Sequence, residues 1–281
     1  MATSKLPLMS QSLYKELADY KMKLSCGLQI KAKYFDGIEF PSTDPQHLGN
    51  WFEYQATGQL PRNGEIPLPK RLKPKTLTKK QIESGMKQED VLGELAKPYR
   101  IMLPQIQSLK DMLDHNDFEI ISTGKKISSK RLNMEGTIDI EVKQRGQDKI
   151  RFIDVKSSGL LEDKWNDYGW ADESLEYKDR LMIQGVHYKI LGKEQYGYYP
   201  DFNFWVFSTK NTIERKNIKL EVDADRYNQH LSYVRKALEY LDIQLKKGWI
   251  ARPNPKRCAD CPINATCTSK VSIPKEQIVY Y

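Results

Sequence analysis

The stretch 136–158, GTIDIEVKQRGQDKIRFIDVKSS, decides how this chain is read. Residues 130–142 and 148–158 are rich in strand formers, and Arg145, Gly146 and Gln147 between them have the composition of a hairpin turn. Strand residues two apart share a face, so Asp154 and Lys156 point the same way from an otherwise apolar strand. If Asp139 lies on the neighbouring strand, two carboxylates and an ammonium converge at one spot. Close carboxylates are costly unless a cation neutralises them. Two carboxylates, with the remaining positions left to water and phosphate, are how Mg²⁺ or Mn²⁺ is usually held. Lys156 would then orient an attacking water or stabilise charge on a phosphate. Taken alone, D-x-K reads first as a surface ion pair on an exposed strand edge.

Outward from this hairpin the periodicity alternates. Upstream, residues 10–35 read as helical, with Leu13, Leu17 and Tyr20 on one side and Ser10 or Ser12 as N-cap. Residues 47–58, HLGNWFEYQATG, read as a short helix ended by Gly58, and the Pro-rich basic segment 59–80 as a loop. A helical region over 89–115 is broken or kinked by Pro98 and Pro104, and 118–123 reads as a strand. Downstream, helix is expected over 173–191 and strands over 202–209 and 212–222. A last helix ends at Gly248, with Leu231, Val234, Leu238, Leu241 and Leu245 as its core stripe. No repeat is visible. The expected class is α/β, a single domain spanning 1–281 around a mixed central sheet flanked by helices.

The chain has 281 residues and a formal charge of +8, from 45 Lys+Arg against 37 Asp+Glu. Six cations, Lys70, Arg71, Lys73, Lys75, Lys79 and Lys80, stand together with no acid among them. Such a run suits a polyanionic partner or a solvated loop. No segment approaches the ~20 apolar residues of a membrane span, and the N-terminal residues have no apolar signal core. A cytoplasmic protein is the expectation. Its four cysteines are Cys26 and then Cys258, Cys261 and Cys267 as C-x2-C-x5-C. In a reducing compartment this pattern reads as metal ligands before disulfides. Gly27 and Pro262 suit the irregular backbone around such a centre. Sulfur ligation serves zinc or an iron–sulfur cluster, and spacing does not separate them. Either would tie an N-terminal helical segment to residues 255–270, joining the two ends of the chain.

G-x-x-D at 136–139, D-x-K fifteen residues on and Q-x-x-x-Y at 184–188 occur in that order. Together with the four cysteines they resemble the RecB-like nucleases of the PD-(D/E)XK superfamily. More narrowly, the set resembles the iron–sulfur branch of AddB-type and CRISPR-adaptation exonucleases. The resemblance implies a restriction-endonuclease-like core and a metal-dependent deoxyribonuclease, an exonuclease on single-stranded DNA or DNA ends. It makes Asp139, Asp154 and the carbonyl of Val155 ligands of Mg²⁺ or Mn²⁺, and Lys156, Gln184 and Tyr188 active-site partners. Cys26, Cys258, Cys261 and Cys267 become ligands of a structural [4Fe-4S] cluster, with zinc as the alternative. The family places a His ligand four residues after a Gly; here Gly49 is followed by Glu53, a departure that makes the ligand set all oxygen. His47 is the rival, but six residues along a helix is about 240°, so only one of the two faces the metal. His115 and His230, in polar helical surroundings, read as solvated. No G-x-x-x-x-G-K-[ST] is present, so unwinding would come from a helicase or a recombination or adaptation partner. The alternative function is a nuclease-fold subunit that binds DNA without cutting it.

Overall fold

The computed structural model describes residues 6–61, 64–73, 76–87, 93–254, 258–259 and 261–270. They form two compact units: a terminal unit drawn from 6–41, 128–136 and the described residues after 221, and a sheet unit drawn from 42–127 and 137–221.

In the sheet unit, strand composition sets depth. β5 (Asp201–Ser208) is an apolar run buried from Phe202 onward, as in a strand covered on both faces. It pairs in parallel with β4 (Ile150–Ser158), which pairs antiparallel with β3 (Met134–Gln144). β6 (Arg215–Lys219) runs antiparallel to β5, its Arg215 and Lys219 exposed, a charged edge that resists further pairing. β2 (Phe118–Ser129) also pairs with β3, and the parallel β4–β5 pair between antiparallel ones makes the sheet mixed, as expected.

Helices α3 (Asp44–Thr57) and α5 (Lys97–His115) share one face of this sheet. Their Leu48, Trp51, Phe52, Tyr99, Met102 and Leu109 pack with Ile140, Val142, Ile153, Val155, Trp205 and Phe207. α3 starts three residues before the sequence expectation because Thr43 and Gln46 form a capping box, and it stops at Gly58, φ 76°. The prolines of α5 act differently from expectation. Pro98 sits in the first turn, where a missing N–H costs nothing. Pro104 is exposed, so the carbonyl it leaves unpaired faces water and the helix continues. Part of the expected helix, 89–92, lies outside the described residues. The basic segment is mostly loop, but it contains α4 (Lys79–Glu83), and Arg71 bridges to Leu95.

The other face carries α6 (Asp179–Tyr196), preceded by a 3-10 turn at Asp172–Tyr177 where one continuous helix was expected. Tyr188 packs on Phe202 and Tyr196 on Phe152. A Cβ on Gly185 would lie 2.4 Å from the Leu220 side chain, and one on Gly192 would lie 2.5 Å from Pro200 and 2.9 Å from the Phe152 ring. The two glycines are two turns apart and let the helix backbone settle onto the sheet.

The terminal unit contains β1 (Met9–Ser10), parallel to the start of β3 through Met9↔Met134, with α1 (Gln11–Lys21), α2 (Gly27–Tyr34) and α7 (Ala224–Lys247). The expected helix over 10–35 is thus two, parted at Lys23, φ 64°. In α7, Val234, Leu238 and Leu241 are buried as predicted, while Leu231 and Leu245 are half-buried. His230 corrects the sequence reading: it is 4% exposed, with Tyr14 edge-on at 5.5 Å. Tyr20, fully buried, is the hub. Its hydroxyl donates to Gln244 (3.3 Å) and accepts from the Ile250 N–H (3.1 Å), and the Arg252 guanidinium lies 4.2 Å over its ring. The Gly27 N–H donates to the Ile250 carbonyl (3.2 Å), which a Cβ on Gly27 would approach to 2.8 Å.

Gly192→Ala tests the seat of α6. Helix propensity alone predicts a gain of about 1 kcal/mol, but the overpacking against Pro200 and Phe152 should outweigh it and leave a net loss of roughly 1–3 kcal/mol. Urea unfolding reads the sign, and a stabilised variant would contradict the close approach.

Candidate active site and cysteine cavity

The pairing of β3 with β4 runs from Lys143↔Ile150 to Ile140↔Ile153. One step further stand Asp139 and Asp154, on the face turned away from α3 and α5. There the Asp139 carboxylate accepts the Val155 N–H (2.9 Å). Asp154, 1% exposed, accepts on Oδ1 from Gln184 Nε2 of α6 (2.6 Å), and its Oδ2 pairs with Lys156 Nζ. Gln184 also donates to the Tyr188 hydroxyl (3.3 Å), so the i, i+4 pair lies on one helix face, aimed at Asp154. Val155 points the opposite way, into the core.

The third acid comes from α3. A Cβ on Gly49 would sit 3.3 Å from Ser157 Oγ of β4, so this glycine lets α3 cross the strand end closely. One turn later Glu53 feels the charges of Asp154 and Lys156, and its Oε1 is buried without a hydrogen-bond partner. His47 is elsewhere, its Nδ1 2.6 Å from the Tyr99 hydroxyl. Glu53 therefore joins the aspartates, and His47 does not.

The electrostatics follow from crowding three acids around one lysine. Burial pushes the Glu53 carboxyl up to about 7, against the opposing pull of Lys156 and with a smaller push from the negative charge of Asp154. Burial, then Asp154 and Glu53, holds Asp139 well above the carboxylate range. Burial works to lower Lys156, but Asp154 and Asp139 overcome it and hold the ammonium above its ordinary value. Burial and the same two aspartates push the Tyr188 phenol up, so it keeps its proton. Glu141, two residues from Asp139 on the same face of β3 and 1% exposed, behaves oppositely. Burial raises it, but bonds from Lys125 (2.8 Å) and Ser122 (2.6 Å), and one from Tyr196, bring it below its usual value. The sheet thus satisfies one buried carboxylate completely while leaving its neighbours short of positive charge, which is the donor chemistry a divalent cation fits.

In the terminal unit, Cys26, Cys258, Cys261 and Cys267 line one small cavity that is open to solvent. All four are free and half-buried. Two contacts that spacing did not reveal reach their sulfurs: the Arg252 N–H donates to Cys26 Sγ (3.4 Å) and Gln29 Nε2 to Cys261 Sγ (3.2 Å). Gln29 is one helical turn past Cys26, a spacing that could have singled it out. Among the described residues no three His, Cys, Asp or Glu side chains form a group that could hold a metal ion as they stand. Donor type and cavity fit a sulfur-bound centre; the thiols are gathered but not closed on one point.

Of the basic run, Lys70 pairs with Asp44 (2.5 Å) and Arg71 donates to the Gly93 carbonyl (2.9 Å). Lys73, Lys79 and Lys80 are exposed, and Lys75 lies outside the described residues. Among the described residues no helix is long and apolar enough to cross a membrane.

A solved structure from Eubacterium rectale, of a protein provisionally called an exonuclease, matches 97% of this chain and 91% of its own with a TM-score of 0.56 at 16% identity, a likeness of fold. A second, of the protein SSO0001, covers 62% of this chain and 72% of its own at 18% identity, and its TM-score of 0.28 carries no weight. No curated protein matches. The family model of the PD-(D/E)XK nuclease superfamily matches residues 20–268, a span that holds every acid of the carboxylate site, Lys156 and all four cysteines. The chain belongs to the PD-(D/E)XK nuclease superfamily.

Proposed function

We propose that this chain is one nuclease domain over 1–281, a metal-dependent deoxyribonuclease acting as an exonuclease on single-stranded DNA or DNA ends. The observation that supports it best is the convergence of Glu53, Asp139 and Asp154 from three elements around Lys156, with Glu53 Oε1 buried and unpartnered. Glu53, Asp139, Asp154 and the Val155 carbonyl would hold Mg²⁺ or Mn²⁺, which would supply Lewis acidity and a water of lowered pKa. The chain's own groups do the rest. The Val155 N–H fixes the Asp139 carboxylate and Gln184 fixes that of Asp154. Lys156, kept protonated by the aspartates, positions the attacking water and meets the charge that develops on the phosphate. Tyr188, accepting from Gln184 and keeping its proton, has an O–H to give to a DNA oxygen. Exposed Lys73, Lys79 and Lys80 extend the phosphate-binding surface.

The four cysteines would hold a structural [4Fe-4S] cluster, supported by the cavity they line together and by the N–H donors at Cys26 and Cys261. Strand separation would fall to a helicase or recombination partner.

Three outcomes test this reading. Asp154→Ala and Lys156→Ala should each lower cleavage of end-labelled oligonucleotides in Mn²⁺ by orders of magnitude, since interactions of the transition state are lost. DNA binding should survive, because it rests on distributed phosphate contacts. If both cut like wild type, or wild type cuts nothing, the chain is a DNA-binding subunit instead. In EDTA, Glu53→Gln should stabilise the protein. Glu53 rises from 4.5 to about 7 on folding, so its favourable contribution exists below pH 4.5 and is lost as pH rises through 7. At pH 8 the variant should unfold with on the order of 2 kcal/mol more stability than wild type, and at pH 4 with none. A difference independent of pH would remove Glu53 from the cluster. Anaerobically purified protein should absorb broadly near ~400 nm, and Cys261→Ala should abolish that band; a colourless, zinc-loaded protein would replace iron by zinc.

A further inference from the structure

The segment after β4 is built to hold a tip in water. Lys178, 7% exposed, turns its ammonium inward to the carbonyls of Asp163 (3.1 Å) and Asn166 (2.5 Å). The Asp163 carboxylate accepts the N–H groups of Trp165 and Asn166, both at 2.9 Å. Gly169 passes so near that a Cβ would lie 1.9 Å from the Asp163 carbonyl. Trp170, 3% exposed, anchors the segment on Phe204 at 5.3 Å, and Lys216 of β6 binds the Trp170 carbonyl, Asp172 and Glu162. Above these supports stands 164–168, KWNDY, with Trp165 86% and Tyr168 51% exposed. Each ring carries a cation: Lys164 Nζ lies 5.2 Å from the Trp165 centroid and the Arg180 guanidinium 5.6 Å from that of Tyr168.

Holding an indole in water on a fixed loop wastes its burial unless a ligand covers it. The segment begins three residues after Lys156 on the same strand, and the superfamily's substrates are polynucleotides. Phosphate attraction is not what the loop offers: residues 160–180 carry seven acids against three bases. Glu162 and Asp172 are taken up by Lys216 and Asp163 by backbone N–H groups. The tip itself, with Lys164 and Asp167, has no net charge. Flat aromatic faces without net charge suit nucleobases, and bases are open to stacking only where a strand is unpaired.

We propose that Trp165 and Tyr168 form a stacking platform for the bases of single-stranded DNA. The assignment rests on the nuclease reading and names the strand state that the site would accept. Binding of a labelled oligothymidylate and of a blunt duplex is measured in EDTA, where no cleavage interferes. Trp51, Trp170 and Trp205 are only 3%, 3% and 1% exposed and Trp249 is half-buried, so the single strand should quench emission in wild type, and that quench should be lost in Trp165→Phe. Trp165→Ala should weaken single-strand binding roughly 5- to 100-fold, leave duplex binding within about twofold, and leave the salt slope unchanged, since no phosphate contact is lost. Trp165→Phe should restore most of the affinity. Melting temperature should not move, because the ring is exposed. Single-strand affinity unchanged in Trp165→Ala, or an equal loss for duplex, would overturn the platform. A wild type that binds through Trp165 yet cuts nothing with Mg²⁺ or Mn²⁺ would overturn the nuclease reading and leave the platform standing.

Discussion

Ile140 pairs with Ile153, and the next position along the two strands carries Asp139 and Asp154, so the antiparallel register of β3 and β4 decides where negative charge accumulates. A slip of one residue would turn Asp154 into the α3–α5 core and Val155 out of it. The alternation of Phe152, Ile153, Asp154, Val155 and Lys156 makes that slip prohibitive, because a charge would replace an aliphatic chain between Trp51, Trp205 and Phe207. Apolar packing on one face of β4 thereby aims the carboxylate and ammonium on the other. Gly185 and Gly192 extend the same control to α6, whose close seat brings Gln184 within 2.6 Å of Asp154.

The contrast between Glu141 and Asp139 shows that the acid cluster is not a failure of the fold to supply partners. Both lie on the same face of β3, and Glu141 receives a lysine, a serine and a tyrosine. Asp139, Asp154 and Glu53 share Lys156. Three buried acids that share one lysine lower the stability of the fold at neutral pH.

Much of this was legible in the sequence, and for definable reasons. The hairpin announced itself through strand formers around Arg145-Gly146-Gln147, and the period of two put Asp154 and Lys156 on one face. The helical period put Gln184 and Tyr188 on one face, and the resemblance assigned that face to the site. The helical angle allowed only one of Glu53 and His47 at the metal, the resemblance pointed to Glu53, and the structure gives His47 to Tyr99. Legibility failed where context overrides composition. Pro104 reads as a breaker but sits on a solvated face, and His230 reads as polar but lies against Tyr14. The loop at 160–170 carries no periodic signal, since its order comes from the distant Lys178 and Lys216.

Tyr20 changes how the thiol cavity is assembled. Between Cys26 and Cys258 the chain runs for more than two hundred residues, and bringing such ends together carries an entropy that grows only with the logarithm of length. Here that entropy is met by a clasp made of carbon, nitrogen and oxygen: the Tyr20 hydroxyl on Gln244 and Ile250, the Gly27 amide on Ile250, and Arg252 stacked on the ring beside Cys26. The clasp thereby confines four free thiols to one neighbourhood, and a centre bound there would have only a local stretch of backbone left to order.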